Sequence, residues 1–141
     1  MPAAARASEL RLRTAPAELA RLYPWLETAA RAHNLPRDLL YGMHVAVEEA
    51  VANVALHGFG PEQPGEIAVR LSASPDAAAV EVEDAGRPFD PTVATSLARR
   101  GPDAAPGGHG LTLIRHYCRD IRYERIGDRN HLTLRFPLPR S

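Results

Sequence analysis

The stretch that most restricts the fold is PRDLLYGMHVAVEEAVANVALHG, residues 36–58. A proline at its start and a glycine just past its end bracket a helix over Pro36–His57. Met43, Val47, Val51 and Val54 recur at helical spacing and form an apolar stripe, so this helix belongs to the core. Glu49, Asn53 and His57 follow one another every four residues on a different face, stacked one turn apart. Two readings of that stripe stay open: a solvated polar face, or a row of groups that meet a ligand.

The flanking segments fix the class. ELRLRT, Glu9–Thr14, alternates as a short strand. Pro16 then opens a helix with Leu19, Leu22, Leu26 and Ala30 at helical spacing, ended by Asn34–Pro36. Beyond the long helix, Glu66–Ser72 and Ala79–Asp84 alternate on either side of Ser74-Pro75-Asp76, a hairpin. A loop rich in Pro and Gly runs from Ala85 to Gly108, a length typical of lids and binding loops. A helix over Gly110–Cys118 leads to strands Ile121–Arg125 and His131–Phe136, separated by Gly127-Asp128-Arg129-Asn130. The order β-α-α-β-β-α-β-β does not alternate as a doubly wound parallel sheet would. It predicts an α/β (α+β) two-layer sandwich: a mixed, mainly antiparallel sheet with three helices on one face. The 141 residues are expected to form a single domain, 1–141.

Composition excludes several mechanisms. Seventeen basic residues balance seventeen acidic ones, so no global field draws the chain to nucleic acid or a membrane. All the basic residues are Arg, which rules out lysine chemistry, including the P-loop lysine. Cys118 is the lone cysteine, so no intramolecular disulfide and no Cys-based zinc site can form; in LTLIRHYC it reads as a buried small hydrophobe. The N-terminus lacks a signal-peptide core, and a cytoplasmic location is expected.

Two further segments can hold a ligand. In EVEDAGRPFDP, Glu81–Pro91, Asp84 ends a strand two residues before Gly86. That pattern suits a turn. It equally suits a carboxylate that accepts from a ligand while Gly86 lets the backbone come close; such an acceptor favours adenine, whose amino group donates, over guanine. In PGGHGLTLIRH, Pro106–His116, three glycines precede a helix, leaving either a linker or an anion site of bare N–H groups at a helix start. It is neither a Rossmann fingerprint nor a Walker A loop.

Taken in order, E-x-x-x-N on a helix, D-x-G at a strand end, a long loop and G-G-x-G-L opening a helix resemble the N, G1 and G2 boxes of the histidine-kinase-like ATPase superfamily, the Bergerat nucleotide fold. The resemblance is closest to its small anti-sigma-factor serine/threonine kinases, through EEAVANVALHG, EDAGRPFDP, GGHGLTLIRHY and RYERIGDRNHLTLRF, and it covers about residues 36–137.

That resemblance implies ATP and Mg²⁺ as ligands. Asn53 would give its side-chain oxygen to Mg²⁺, a cation suited to oxygen ligands and shared phosphates. Glu49, rather than Glu48, stands four before Asn53 and would be the general base. Asp84 and Gly86 would meet adenine, while Gly107, Gly108, Gly110 and Leu111 would hold the phosphates. Thr133 would reach adenine directly or through water. Phe89 is expected in the core more than at the pocket edge, and His57 as a helix-ending cation or hydrogen-bond partner. His109 is expected to face solvent or the phosphates, and Arg99 and Arg100 to form a solvated loop pair more than phosphate contacts. Ala104-Ala105-Pro106 departs from relatives that place a basic or hydroxyl residue before the glycines. The implied partners are a STAS-domain anti-anti-sigma protein as substrate, a sigma factor, and a second copy in a homodimer. The alternative is a nucleotide-binding protein that sequesters a sigma factor without significant kinase activity.

Overall fold

A computed structural model describes residues 8–59, 65–92 and 110–139. In chain order these form β1 (Ser8–Arg13), α1 (Pro16–Leu19), α2 (Leu22–Ala32), α3 (Arg37–His57), β2 (Glu66–Ala73), β3 (Ala77–Asp84), α4 (Gly110–Tyr117), β4 (Asp120–Ile126) and β5 (Arg129–Pro137). The strands make one five-stranded sheet in the order β1-β2-β3-β5-β4. Every pairing is antiparallel, so the parallel component allowed by the word "mixed" does not occur among the described residues.

Period-two alternation sends one set of side chains into the helix layer. Leu10 and Leu12, Ile67, Val69 and Leu71, Val80 and Val82, and Leu132, Leu134 and Phe136 are all buried from the sheet side. From the helix side α3 contributes Met43, Ala46, Val47, Ala50, Val51 and Val54, confirming the predicted stripe. By length and composition α3 could cross a membrane. Its buried residues mark it instead as the core helix of this layer. The opposite face of the sheet is charged. There the Arg70 guanidinium bridges Glu9, Glu81 and Glu83 at 2.8, 2.8 and 2.7 Å.

One helix expected after Pro16 is two. Pro24 falls within the first turn of α2. Its ring excludes the carbonyl of residue 20 and it has no N–H to donate, so a continuous helix cannot pass. The helix layer therefore has four described segments rather than three.

Gly42 brings α4 close to α3. A Cβ there would lie 2.5 Å from Cδ1 of Tyr117, so the Tyr117 ring occupies the space a side chain would need. Ile114 of α4 is fully buried, and this packing fixes the helix that follows the glycine-rich segment.

Candidate functional site

The end of β3 meets the end of α3. Asp84 is the last residue of β3 and 1% exposed, a carboxylate taken almost wholly out of water. Its Oδ1 accepts from the Gly86 N–H at 2.8 Å and from Asn130 Nδ2 at 3.0 Å. The first of these bonds is turn chemistry, so Asp84 does make the turn its sequence suggested. Both bonds fall on Oδ1, which leaves turn and ligand roles compatible. Burial pushes the Asp84 carboxyl above its ordinary value; those two hydrogen bonds and the charges of Arg125 and Arg129 pull the other way.

Asn130 lies on β5 directly opposite Asp84 and is 5% exposed. Its second amide hydrogen goes to the Arg87 carbonyl at 2.8 Å. Its Oδ1 accepts from the Tyr123 hydroxyl at 2.5 Å, Arg125 at 3.1 Å and the Phe89 N–H at 3.4 Å. Arg125 also donates to the Gly86 carbonyl at 2.8 Å. The turn after β3 is thus held from β4 and β5.

Asn53 faces the same pocket from α3, with Val54 and Gly58 beside it. Its side-chain nitrogen is buried and has no hydrogen-bond partner among the described residues. An amide left in that condition in an apolar wall is costly unless a ligand completes it. The orphaned N–H would take an acceptor such as a phosphate oxygen, while the side-chain oxygen is a hard donor of the kind Mg²⁺ accepts.

Glu49 sits one turn earlier on α3 and is half-buried. Burial first, and then the charge of Glu48, push its carboxyl above the usual range. Glu48 itself is exposed, within 4.0 Å of His44.

Asn53, Asp84, Phe89, Tyr123, Asn130 and Leu132 all line one small cavity of about 10 Å³, room for about one water. Phe89 stacks on His57, with centroids 4.5 Å apart and planes 18° from parallel. It is a wall of the pocket, not the core residue expected. A larger cavity of about 570 Å³ lies between α2 and the start of α3, lined by residues such as Tyr23, Glu27, Leu40 and Tyr41. It contains none of the motif residues.

Thr133 requires a correction. It lies on β5 between buried Leu132 and Leu134, opposite Glu81, and so points to the charged outer face. The polar residue that β5 sends to Asp84 is Asn130. A signal for this was present: with Leu132, Leu134 and Phe136 inward, position 130 shares their face and position 133 does not. Gly110 opens α4 and Leu111 follows within it, whereas Gly107, Gly108, His109, Arg99 and Arg100 lie outside the described residues.

Comparison with known proteins bears on the family and the fold. The profile of a family described as Histidine kinase-like ATPase domain matches residues 12–136. The Serine/threonine-protein kinase BtrW of Bordetella bronchiseptica is 38% identical over 112 residues, which span 78% of this chain and 79% of BtrW. The histidine kinase domain of the Erythrobacter litoralis EL346 blue-light activated histidine kinase shares the fold, with a TM-score of 0.56 at 20% identity over 83% of this chain. This chain spans 61% of that structure.

Proposed function

Because this chain belongs to the histidine kinase-like ATPase domain family, we propose that it is a protein serine/threonine kinase that uses ATP with Mg²⁺. The observation that carries the reading is the meeting of Asp84 and Asn53, from β3 and α3, in one buried pocket. The similarity to BtrW, a serine/threonine-protein kinase, supports the class of reaction.

Asp84 accepts from the adenine amino group, and the turn at Gly86 lets the ring approach. Since the cavity is about 10 Å³, it widens when a purine enters. Asn53 would hold Mg²⁺, which when bound would offset charge on the phosphates. Gly107, Gly108 and Gly110 supply backbone N–H groups to the phosphates. Glu49 takes the proton of the attacking serine or threonine hydroxyl as its oxygen bonds to the γ-phosphorus and ADP leaves. A carboxyl raised by burial is better matched to that task near neutrality.

The protein substrate in this proposal is a STAS-domain anti-anti-sigma antagonist. Its phosphorylation frees the kinase to hold a sigma factor in a cytoplasmic partner switch. The kinase acts as a homodimer.

The test is purified protein with radiolabelled Mg-ATP and a STAS-domain protein from the same genome. Phosphoserine or phosphothreonine on the STAS protein is expected, lost in Glu49→Ala while ATP affinity stays nearly unchanged. Absence of transfer by the wild type, with ATP bound, would leave only nucleotide-dependent sequestration.

A further inference from the structure

We infer that Asn130 is a positioning residue that reduces Asp84 to a one-oxygen acceptor and thereby sets the preference for adenine over guanine. The inference rests on the reading above that a purine nucleotide binds at Asp84, and adds what decides between purines.

A carboxylate oxygen has two acceptor positions. On Asp84 Oδ1 both are filled, by the Gly86 N–H at 2.8 Å and by Asn130 Nδ2 at 3.0 Å. Among the described residues no hydrogen bond falls on Oδ2, which is left for a ligand. Asn130 cannot turn its amide round to release Oδ1. Its own oxygen is surrounded by three donors, from Tyr123, Arg125 and the Phe89 backbone, and a flipped amide would set its NH₂ group against all of them. Its remaining hydrogen is already given to the Arg87 carbonyl.

The two purines make different demands on such a group. Adenine offers one exocyclic amino donor beside an accepting ring nitrogen. Guanine offers two adjacent donors, a ring N–H and its 2-amino group, which a carboxylate with both oxygens free takes as a pair. With Oδ1 occupied, adenine is served in full, while guanine leaves one N–H without an acceptor. That deficit corresponds to roughly tenfold to a hundredfold in affinity. Asp84 by itself, with both oxygens free, would lose this part of the discrimination.

The experiment is calorimetric titration of the full chain with MgATP and MgGTP, on the wild type and on Asn130→Val, Asn130→Thr and Tyr123→Phe. Val and Thr have the same shape, and only Thr keeps a hydrogen for Asp84 Oδ1. The ATP-to-GTP affinity ratio should fall about tenfold in Asn130→Val and stay near the wild-type value in Asn130→Thr. Tyr123→Phe, which removes one donor fixing the amide, should give an intermediate ratio. An unchanged ratio in Asn130→Val, or an equal fall in Val and Thr, overturns the inference while leaving ATP binding intact. If Asn130→Val does not fold, an unchanged ratio in Tyr123→Phe overturns it. A wild type that binds neither nucleotide overturns the functional reading itself.

Discussion

Gly86 and Gly58 are in backbone contact: a Cβ on Gly86 would lie 2.4 Å from the Gly58 carbonyl oxygen. The same oxygen accepts from the Arg87 N–H at 3.0 Å, so the turn after β3 is fastened to the C-terminus of α3. This contact sets the distance between the element that bears Asp84 and the one that bears Asn53.

Gly86→Ala therefore has to push the two apart. The methyl group would also stand 2.9 Å from Asp84 Oδ1. A loss of about 1–3 kcal/mol in urea unfolding is expected, together with weaker ATP binding by calorimetry. Wild-type stability in this variant would show that the contact does not constrain the site.

Asp84→Asn separates folding from binding. The new side chain can keep its oxygen toward Gly86 and Asn130, but it turns a donor toward the adenine amino group, so ATP affinity should fall by at least about tenfold. Stability should move the other way. Burial raises the Asp84 carboxyl above its ordinary 3.8, so the native state holds that proton more tightly than the unfolded chain. The contribution to stability then declines as pH rises from the unfolded value through the raised one, and is flat above it. Urea midpoints from roughly pH 4 to 7 should show Asp84→Asn gaining on the wild type across that interval. A stability difference that stays constant or shrinks as the pH rises through that interval would refute the sign.

Asn53→Leu removes a buried nitrogen that has no partner among the described residues and keeps the branched outline of the side chain. Without nucleotide the variant should be more stable by about 1 kcal/mol. Its ATP affinity in Mg²⁺ should drop to the value measured in EDTA. Retention of the magnesium-dependent gain would remove Asn53 from the cation site.

Cys118 is buried at the end of α4, and burial pushes its thiol up to about 11. Little thiolate exists at pH 8, so a disulfide reagent such as DTNB should react slowly with the native protein and rapidly in urea. Fast native labelling would mean that α4 opens readily from α3.

Much of the fold was legible because local rules agree with one another. Pro36 and Gly58 bound α3, the stripe Met43–Val47–Val51–Val54 is its buried side, and Ser74-Pro75-Asp76 joins β2 to β3 as expected. Pro24 was an equally local signal, and its effect on the first helix follows from the missing N–H. The strand end at Asp84 could also be read directly from the alternation before it.

Asn130 was obscured by its neighbours. After Gly127-Asp128-Arg129 it reads as a turn residue, yet the hairpin closes on Gly127 and Asp128, with Ile126 paired to Arg129, so Asn130 is already in the ladder. A strand has a side-chain period of two, and this register sends Asn130 inward with Leu132 while Thr133 faces out. The sequence alone thus determined the elements, their order and the residue types at the site. The tertiary structure decided which of those residues meet. Asp84 and Asn130 are 46 positions apart, and their hydrogen bond exists because β3 and β5 pair in one register.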